Sequence, residues 1–233
     1  MKKQILIISS TLVFFAGLQG MIFATDRAFS AGSQNALVRP VVNQSELASH
    51  VMPLNDRYPV PSVNTVFRDN ILLVLHYMAG TVKKADEISW DSVRKPFTYE
   101  FRLEPGEVFA YHDGVLPEYQ GKKLVTTNAH FNAQEGFVSD GYLYGDGVCH
   151  FASLMTWVAR DAGLKVEARV RHDFANVPDV PRVHGTSIYA DPGESFNEQN
   201  QNLYIENTND KPVKFVFEYK DDELTFSVYS VEK

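Results

Sequence analysis

Between Cys149 and Gly163 the apolar residues Phe151, Leu154, Met155, Val158 and Ala162 recur at helical spacing, whereas the stretches on either side alternate with period two. Upstream, Phe97, Tyr99, Phe101 and Leu103 alternate with Thr98, Glu100 and Arg102; downstream, Val166, Ala168 and Val170 alternate with Glu167, Arg169 and Arg171. One amphipathic helix set between runs of strands argues against a doubly wound sheet, in which helices and strands take turns. The expected fold class is α+β, with antiparallel β-sheets packed around a central helix that starts at the cysteine.

The remaining elements follow from the same periods. Asn64 to Ala79 carries Val66, Ile71, Leu72, Val74, Leu75 and Met78 at helical spacing, with Asn64 as N-cap and Gly80 as stop, so residues 62–96 form an N-terminal helical segment. Pro105-Gly106 turns the strand at Phe97–Leu103 into Val108–Tyr111, which reads as a β-hairpin. Residues 113–147 are Gly-rich and polar and read as long loops around a site. After the helix, a strand over 166–172 ends with His172 on its inward face, and a short strand is expected around Thr186–Ala190. Leu203–Glu206, Val213–Tyr219 and Leu224–Val231 complete the sheet.

The chain opens with Lys2 and Lys3, then an uncharged apolar run from Ile5 to Ala24. Such a run directs export, and it is long enough either to be cleaved as a signal peptide or to stay as a membrane anchor. Residues 25–61, punctuated by Pro40, Pro53, Pro59 and Pro61, read as a linker with a short helix near Gln44–Val51. The expected location is therefore periplasmic or otherwise extracytoplasmic, with membrane contact only through residues 5–24. Without residues 1–24 the chain holds 20 basic against 29 acidic side chains, a formal charge of −9. That balance makes nucleic acid an unsuitable partner, since phosphate binding runs on clustered Lys and Arg.

An exported chain with one cysteine cannot close an internal disulfide, so Cys149 is a buried thiol, an intermolecular bridge or a reactive group. Its place at a helix start favours thiolate, because unpaired N–H groups and the positive end of the helix dipole face it. Gly145, Asp146 and Gly147 form a turn free to approach a bound carbonyl and to offer N–H groups to an oxyanion. Cysteine acyl transfer needs a base, and histidine is the usual one. Of seven histidines, His172 ranks first, 23 residues after Cys149. His184 ranks second, and His150 third because a helical turn points it away from the thiol. Asp146, Asp173 and Asp191 are the candidate orienting carboxylates. Cys149, His150, His172 and His184 are metal-ligand types, but their spacing matches no common zinc pattern. There is no nucleophile elbow around a serine, phosphate loop or dinucleotide fingerprint, and no cofactor or metal is expected.

Four motifs in order, Leu103-Glu104-Pro105-Gly106-Glu107-Val108-Phe109, Gly145-Asp146-Gly147-Val148-Cys149, Ala162-Gly163-Leu164 and Leu203-Tyr204-Ile205-Glu206-Asn207-Thr208 with Pro212, resemble the VanW-like domain over residues 97–231. That resemblance implies a bacterial envelope protein. Some members of the family are cysteine L,D-transpeptidases, which implies Cys149 as nucleophile, His172 as base, and peptidoglycan stem peptides as partners in a transpeptidase or carboxypeptidase reaction. Two residues depart from the usual Gly-Gly-Gly-Val-Cys-Gln: Asp146 replaces a glycine and His150 a glutamine. An Arg-Asp pair usual near His184 is missing. Gly147-Val148-Cys149 with Ala162-Gly163-Leu164 also resembles the Cys helix of transglutaminase-like amidases and proteases. A non-catalytic wall-binding or accessory module is the third reading.

Overall fold

The strand Val213–Lys220 (β7) has every second residue buried, and the strand after it, Glu223–Val231 (β8), folds back on it in antiparallel register from Lys220↔Glu223 to Val213↔Ser230. A computed structural model describes residues 44–141, 144–189 and 195–232, which lie in one unit spanning Val41–Lys233. Its remaining strands are β1 (Gln44–Pro53), β2 (Phe97–Leu103), β3 (Val108–Ala110), β4 (Leu124–Thr126), β5 (Lys165–Glu167) and β6 (Tyr204–Glu206). Its helices are α1 (Pro61–Met78), α2 (Trp90–Val93), α3 (Val148–Asp161) and α4 (Ser195–Asn200). The fold is α+β, with two four-stranded sheets ordered β1-β8-β7-β2 and β4-β3-β6-β5.

The first sheet is antiparallel throughout. Its inner face carries Phe101, Phe215, Phe217 and Phe226, whose rings stack in sequence at 4.4–6.2 Å between centroids. Onto this face α3 sets Phe151, fully buried and 5.4 Å from the Phe217 ring. Each such fully buried phenyl ring contributes about 1.5–3 kcal/mol of burial free energy, which ties the helix start to the sheet. From residue 69 to Met78, α1 is buried on all sides, and it also packs against α3. No helix among the described residues is long and apolar enough to cross a membrane.

Several expected elements take another form. Gln44–Val51 is part of strand β1 rather than a short helix, and residues 44–61 are built into the fold rather than linking to it. Pairing with the exposed edge of β8 decides this, because β1 itself has little buried surface with which to express a period. Phe97–Tyr111 is not a hairpin. The turn at Pro105-Gly106 exists, with Gly106 at φ +82° and Glu107 N–H donating to Glu104 O, but β2 pairs with β7 while β3 pairs with β4 and β6. Buried Asn207 holds that turn from across the second sheet, since Gly106 N–H donates to Asn207 O and Asn207 Nδ2 to Leu103 O. The second sheet is mixed, because β3 and β4 run parallel. The strand expected over 166–172 ends at Glu167, residues 186–189 are not a strand, and β6 belongs to the second sheet rather than to the final hairpin. The signal or anchor segment, 1–24, lies outside the described residues.

Candidate active site

Three backbone constraints set the start of α3. Gly147, the residue before its first turn, has φ +99°, and a Cβ there would stand 2.7 Å from the carbonyl oxygen of Phe67 on α1. Gly145 has φ +79°, with a Cβ position 2.9 Å from Phe131 O. Both positions thus need glycine for close approach as well as for left-handed backbone. Fully buried Asn70 of α1 then clamps the loop: Nδ2 donates to Val138 O (2.9 Å) and Asp146 O (2.8 Å), and Oδ1 accepts from Val138 N–H (2.9 Å).

Cys149 lies in the first turn of α3, half-buried and unpaired. Its Sγ accepts from Ile188 N–H at 3.3 Å. Ser153 Oγ donates to Cys149 O and accepts from Thr186 N–H, which holds residues 186–188 against the helix. Burial pushes the thiol up to about 11, the nearby Asp146 carboxylate adds to the rise, and N–H groups of Ile188 and Cys149 itself pull against it. Desolvation therefore outweighs the helix start, and the resting group is thiol, not the thiolate expected from position alone. The N–H groups of Val148, His150 and Phe151 are bonded to Gly145 and Gly147 carbonyls and that of Gly145 to Val138 O; among the described residues the Cys149 N–H reaches no carbonyl. It is directed at the residue's own sulfur.

A cleft of about 180 Å³ opens at this point, lined by Cys149, His150, His172, Gly145, Asp146 and Gly147 together with the aromatic residues Tyr58, Phe67, Tyr144 and Phe174. His172 is 5 % exposed, and its Nδ1 lies 3.0 Å from Ala175 O. A proton on Nδ1 donated to that carbonyl leaves the Nε2 lone pair as the basic site. Burial lowers its pKa below the ordinary histidine value, so the ring is neutral at pH 7. The orienting partner is thus a backbone carbonyl. Asp173 is exposed and paired with Arg171 (3.7 Å), and Asp191 lies outside the described residues.

His150 is also in the cleft wall, contrary to its place in the expected ranking. Arg57 Nη1 donates to its Nδ1 at 3.1 Å, which places the His150 proton on Nε2, and the ring meets His172 edge-on at 5.8 Å and 82°. Burial and the Arg57 charge hold His150 neutral, well below the usual imidazole range. Arg57, with 2 % of its side chain exposed, also donates to Pro178 O (2.7 Å) and lies 3.5 Å from Asp179. It therefore fastens the loop that carries Ala175 to the ring beside the base. Asp146 Oδ2 accepts from Asp140 N–H (3.0 Å), and burial pushes that carboxyl up to about 6.

His184 is not brought to the cleft. It stacks on Trp157 at 5.9 Å and approaches Arg160 Nη1 at 3.4 Å. Trp157 is eight residues along α3 from Cys149, about 12 Å at the rise of an α-helix, which removes His184 as a base. Arg57, Tyr58, Phe67 and Asn70 were not legible as site residues. The one available signal was Asn70, an amide at the head of the apolar run Ile71–Leu75. Among the described residues no group of three or more His, Cys, Asp or Glu is placed to hold a metal ion.

The family model described as "VanW like protein" matches residues 99–229, more than half of the chain and inclusive of Cys149 and His172. No curated protein and no solved structure gives a significant match.

Proposed function

From its membership of the VanW-like family, which is related to the cell wall, we propose that this protein is an envelope cysteine acyltransferase acting on peptidoglycan stem peptides. One observation carries the reading: Cys149 and His172 share a cleft, and the Nδ1 of His172 is occupied by Ala175 O, which leaves Nε2 as a proton acceptor. In this reaction Sγ attacks the carbonyl carbon of the third stem residue while Nε2 takes the thiol proton. The resting thiol is protonated and His172 neutral, so the transfer accompanies attack rather than preceding it. The Cys149 N–H is the donor available to the oxyanion. Collapse breaks the C–N bond to the terminal D-alanine, whose amine takes the proton from His172, and leaves a thioester on Cys149. An amine of a second stem resolves it to a cross-link, or water resolves it to the shortened stem.

Action outside the cytoplasm is part of this proposal, supported by Lys2, Lys3 and the apolar run Ile5–Ala24, and cell fractionation tests it. Incubation with disaccharide tetrapeptide is expected to release D-alanine and to add the acylated stem mass to Cys149. Turnover that survives Cys149→Ala overturns the proposal. Release of ammonia from a glutamine donor in place of D-alanine assigns the site to transglutaminase-like chemistry instead.

A second reading, a wall-binding module, is favoured by the Ile188 N–H on Sγ and the raised thiol pKa, both of which suit a buried packing group. Its signature is tetrapeptide binding that is equal in wild type and Cys149→Ala, with no D-alanine released.

A further inference from the structure

We infer that the cleft beside Cys149 is a binding site for a primary ammonium group, held by the Asp146 carboxylate against the aromatic wall of Tyr58, Phe67 and Tyr144. In the acyl-transfer reading, on which this assignment of role rests, that ammonium belongs to the side chain of the acceptor stem.

The wall is continuous. Tyr58 meets Phe67 at 5.1 Å between ring centroids, Phe67 meets His150 at 4.8 Å, His150 meets His172 at 5.8 Å, and His172 meets Phe174 at 4.0 Å. Ring faces attract cations through their quadrupole, most strongly where water is excluded. At the mouth, Tyr144 and Phe174 are 54 % and 78 % exposed, an amount of aromatic surface that suits contact with a ligand. The charge in the cleft has a single sign. Among the described lining residues Asp146 alone carries a formal charge at neutral pH, and no Lys or Arg is present. Arg57 stands behind His150, its Nη1 bonded to that ring and its Nη2 to Pro178 O, with Asp179 3.5 Å from its Nε. Next to Asp146 an ammonium meets a carboxylate and the faces of aromatic rings.

Asp146 is also held in place. Its backbone oxygen accepts from Asn70 and its Oδ2 from Asp140 N–H. Its charge is felt by both Cys149 and Tyr58, which puts a bound cation within electrostatic reach of the reacting sulfur. No cation among the described residues pairs with it, and burial raises its affinity for a proton, so an arriving ammonium relieves an uncompensated charge. In the resolving step one ammonium proton passes to Asp146. The freed amine attacks the thioester carbon, the C–N bond forms, the C–S bond breaks, and the second proton travels through His172 to the departing thiolate.

The full chain carrying Cys149→Ala, which binds but does not react, is titrated by calorimetry with Nα-acetyl-lysine methylamide and with its uncharged counterpart, Nα-acetyl-norleucine methylamide. The lysine compound is expected to bind at least about tenfold more tightly, and Asp146→Asn to remove that advantage, a loss of the order seen for one charge pair. Asn at 146 still accepts from Asp140 N–H, and a single cooperative melting transition verifies the fold. Equal binding of the two compounds, no saturable lysine binding, or an advantage that persists in Asp146→Asn overturns the inference. A Cys149 thioester formed by wild type without lysine binding overturns the ammonium site and leaves acyl transfer standing. Lysine binding without any thioester leaves the ammonium site and removes its acceptor role.

Discussion

Replacement of Asn70 by alanine tests whether α1 holds the nucleophile turn. The side chain is fully buried and makes three hydrogen bonds of 2.8–2.9 Å, all to the backbone of Val138 and Asp146. A neutral intramolecular hydrogen bond is worth about 0.5–1.5 kcal/mol net, so three set a range centred near about 3 kcal/mol. Val138 and Asp146 are only partly buried, so water replaces some of the loss, and about 2–3 kcal/mol is expected. Asn70→Asp sharpens the test: it keeps the acceptor for Val138 N–H but turns a carboxylate oxygen toward two carbonyls that now receive an N–H, and it should destabilise more than alanine. Urea denaturation reads both variants, provided that the m-value stays constant. A change under about 0.5 kcal/mol for Asn70→Ala, typical of surface sites, refutes the clamp. A milder effect for Asp than for Ala refutes the importance of the two N–H donors.

Gly147→Ala combines a left-handed backbone, about 1–2 kcal/mol, with a Cβ placed 2.7 Å from Phe67 O, which adds about 1–3 kcal/mol of overpacking; unaltered urea stability refutes the close approach of α1. A thiol raised from 9.0 to about 11 leaves about 100-fold less thiolate at pH 7 than an unperturbed cysteine has. Iodoacetamide should alkylate Cys149 correspondingly slowly, and equal rates contradict the burial of the sulfur. In the proposed reaction protonated His172 cannot accept a proton, so kcat/KM for tetrapeptide should fall on the acid side with an inflection below the ordinary histidine pKa of 6.5; an inflection above it contradicts the burial of the ring. The folded-state pKa of Asp146 is raised from 3.8 to about 6, so its contribution to stability is full below about 4 and is lost as pH rises through about 6. Asp146→Asn should therefore gain stability relative to wild type on going from pH 4 to pH 7, and a constant difference between the two proteins contradicts the shift.

The helix at Cys149 was legible because its signals are local: apolar residues at 151, 154, 155 and 158, and Gly163, which takes φ +73° at the stop. Pairing partners were not, because they are chosen across the chain. The Pro105-Gly106 turn forms as read, yet the strands on its two sides join different sheets, and β1 acquires strand character only from the edge of β8. His172 was selected for a reason that does not hold. No strand carries it inward; instead its N–H donates to Gly185 O, and Ser187 N–H donates to Val170 O, which press this segment beside the helix. Arg57 gave no signal at all, since a lone arginine among prolines and polar residues reads as a solvated side chain, and only the fold shows that it is 2 % exposed.

The position of Arg57 bears on what the family-matched region can do alone. Residues 99–229 contain Cys149, His172 and Ala175, but Arg57, Tyr58, Phe67 and Asn70 all precede them. Without these four, His150 Nδ1 loses its donor, the loop at Pro178 loses its tie, Gly147 has no helix to pack against, and the carbonyl of Asp146 loses its amide. A buried arginine that holds neutral groups by charged hydrogen bonds contributes more than a neutral donor does, so one tie of the loop bearing Ala175 O, that at Pro178 O, comes from outside the matched region, while Arg182 Nη2 on Asp173 O holds it from within. In the proposed reaction the reacting groups and the bonds that place His172 come from residues 99–229, while Arg57, Tyr58 and α1 shape the cleft wall and the turn before Cys149 from outside it.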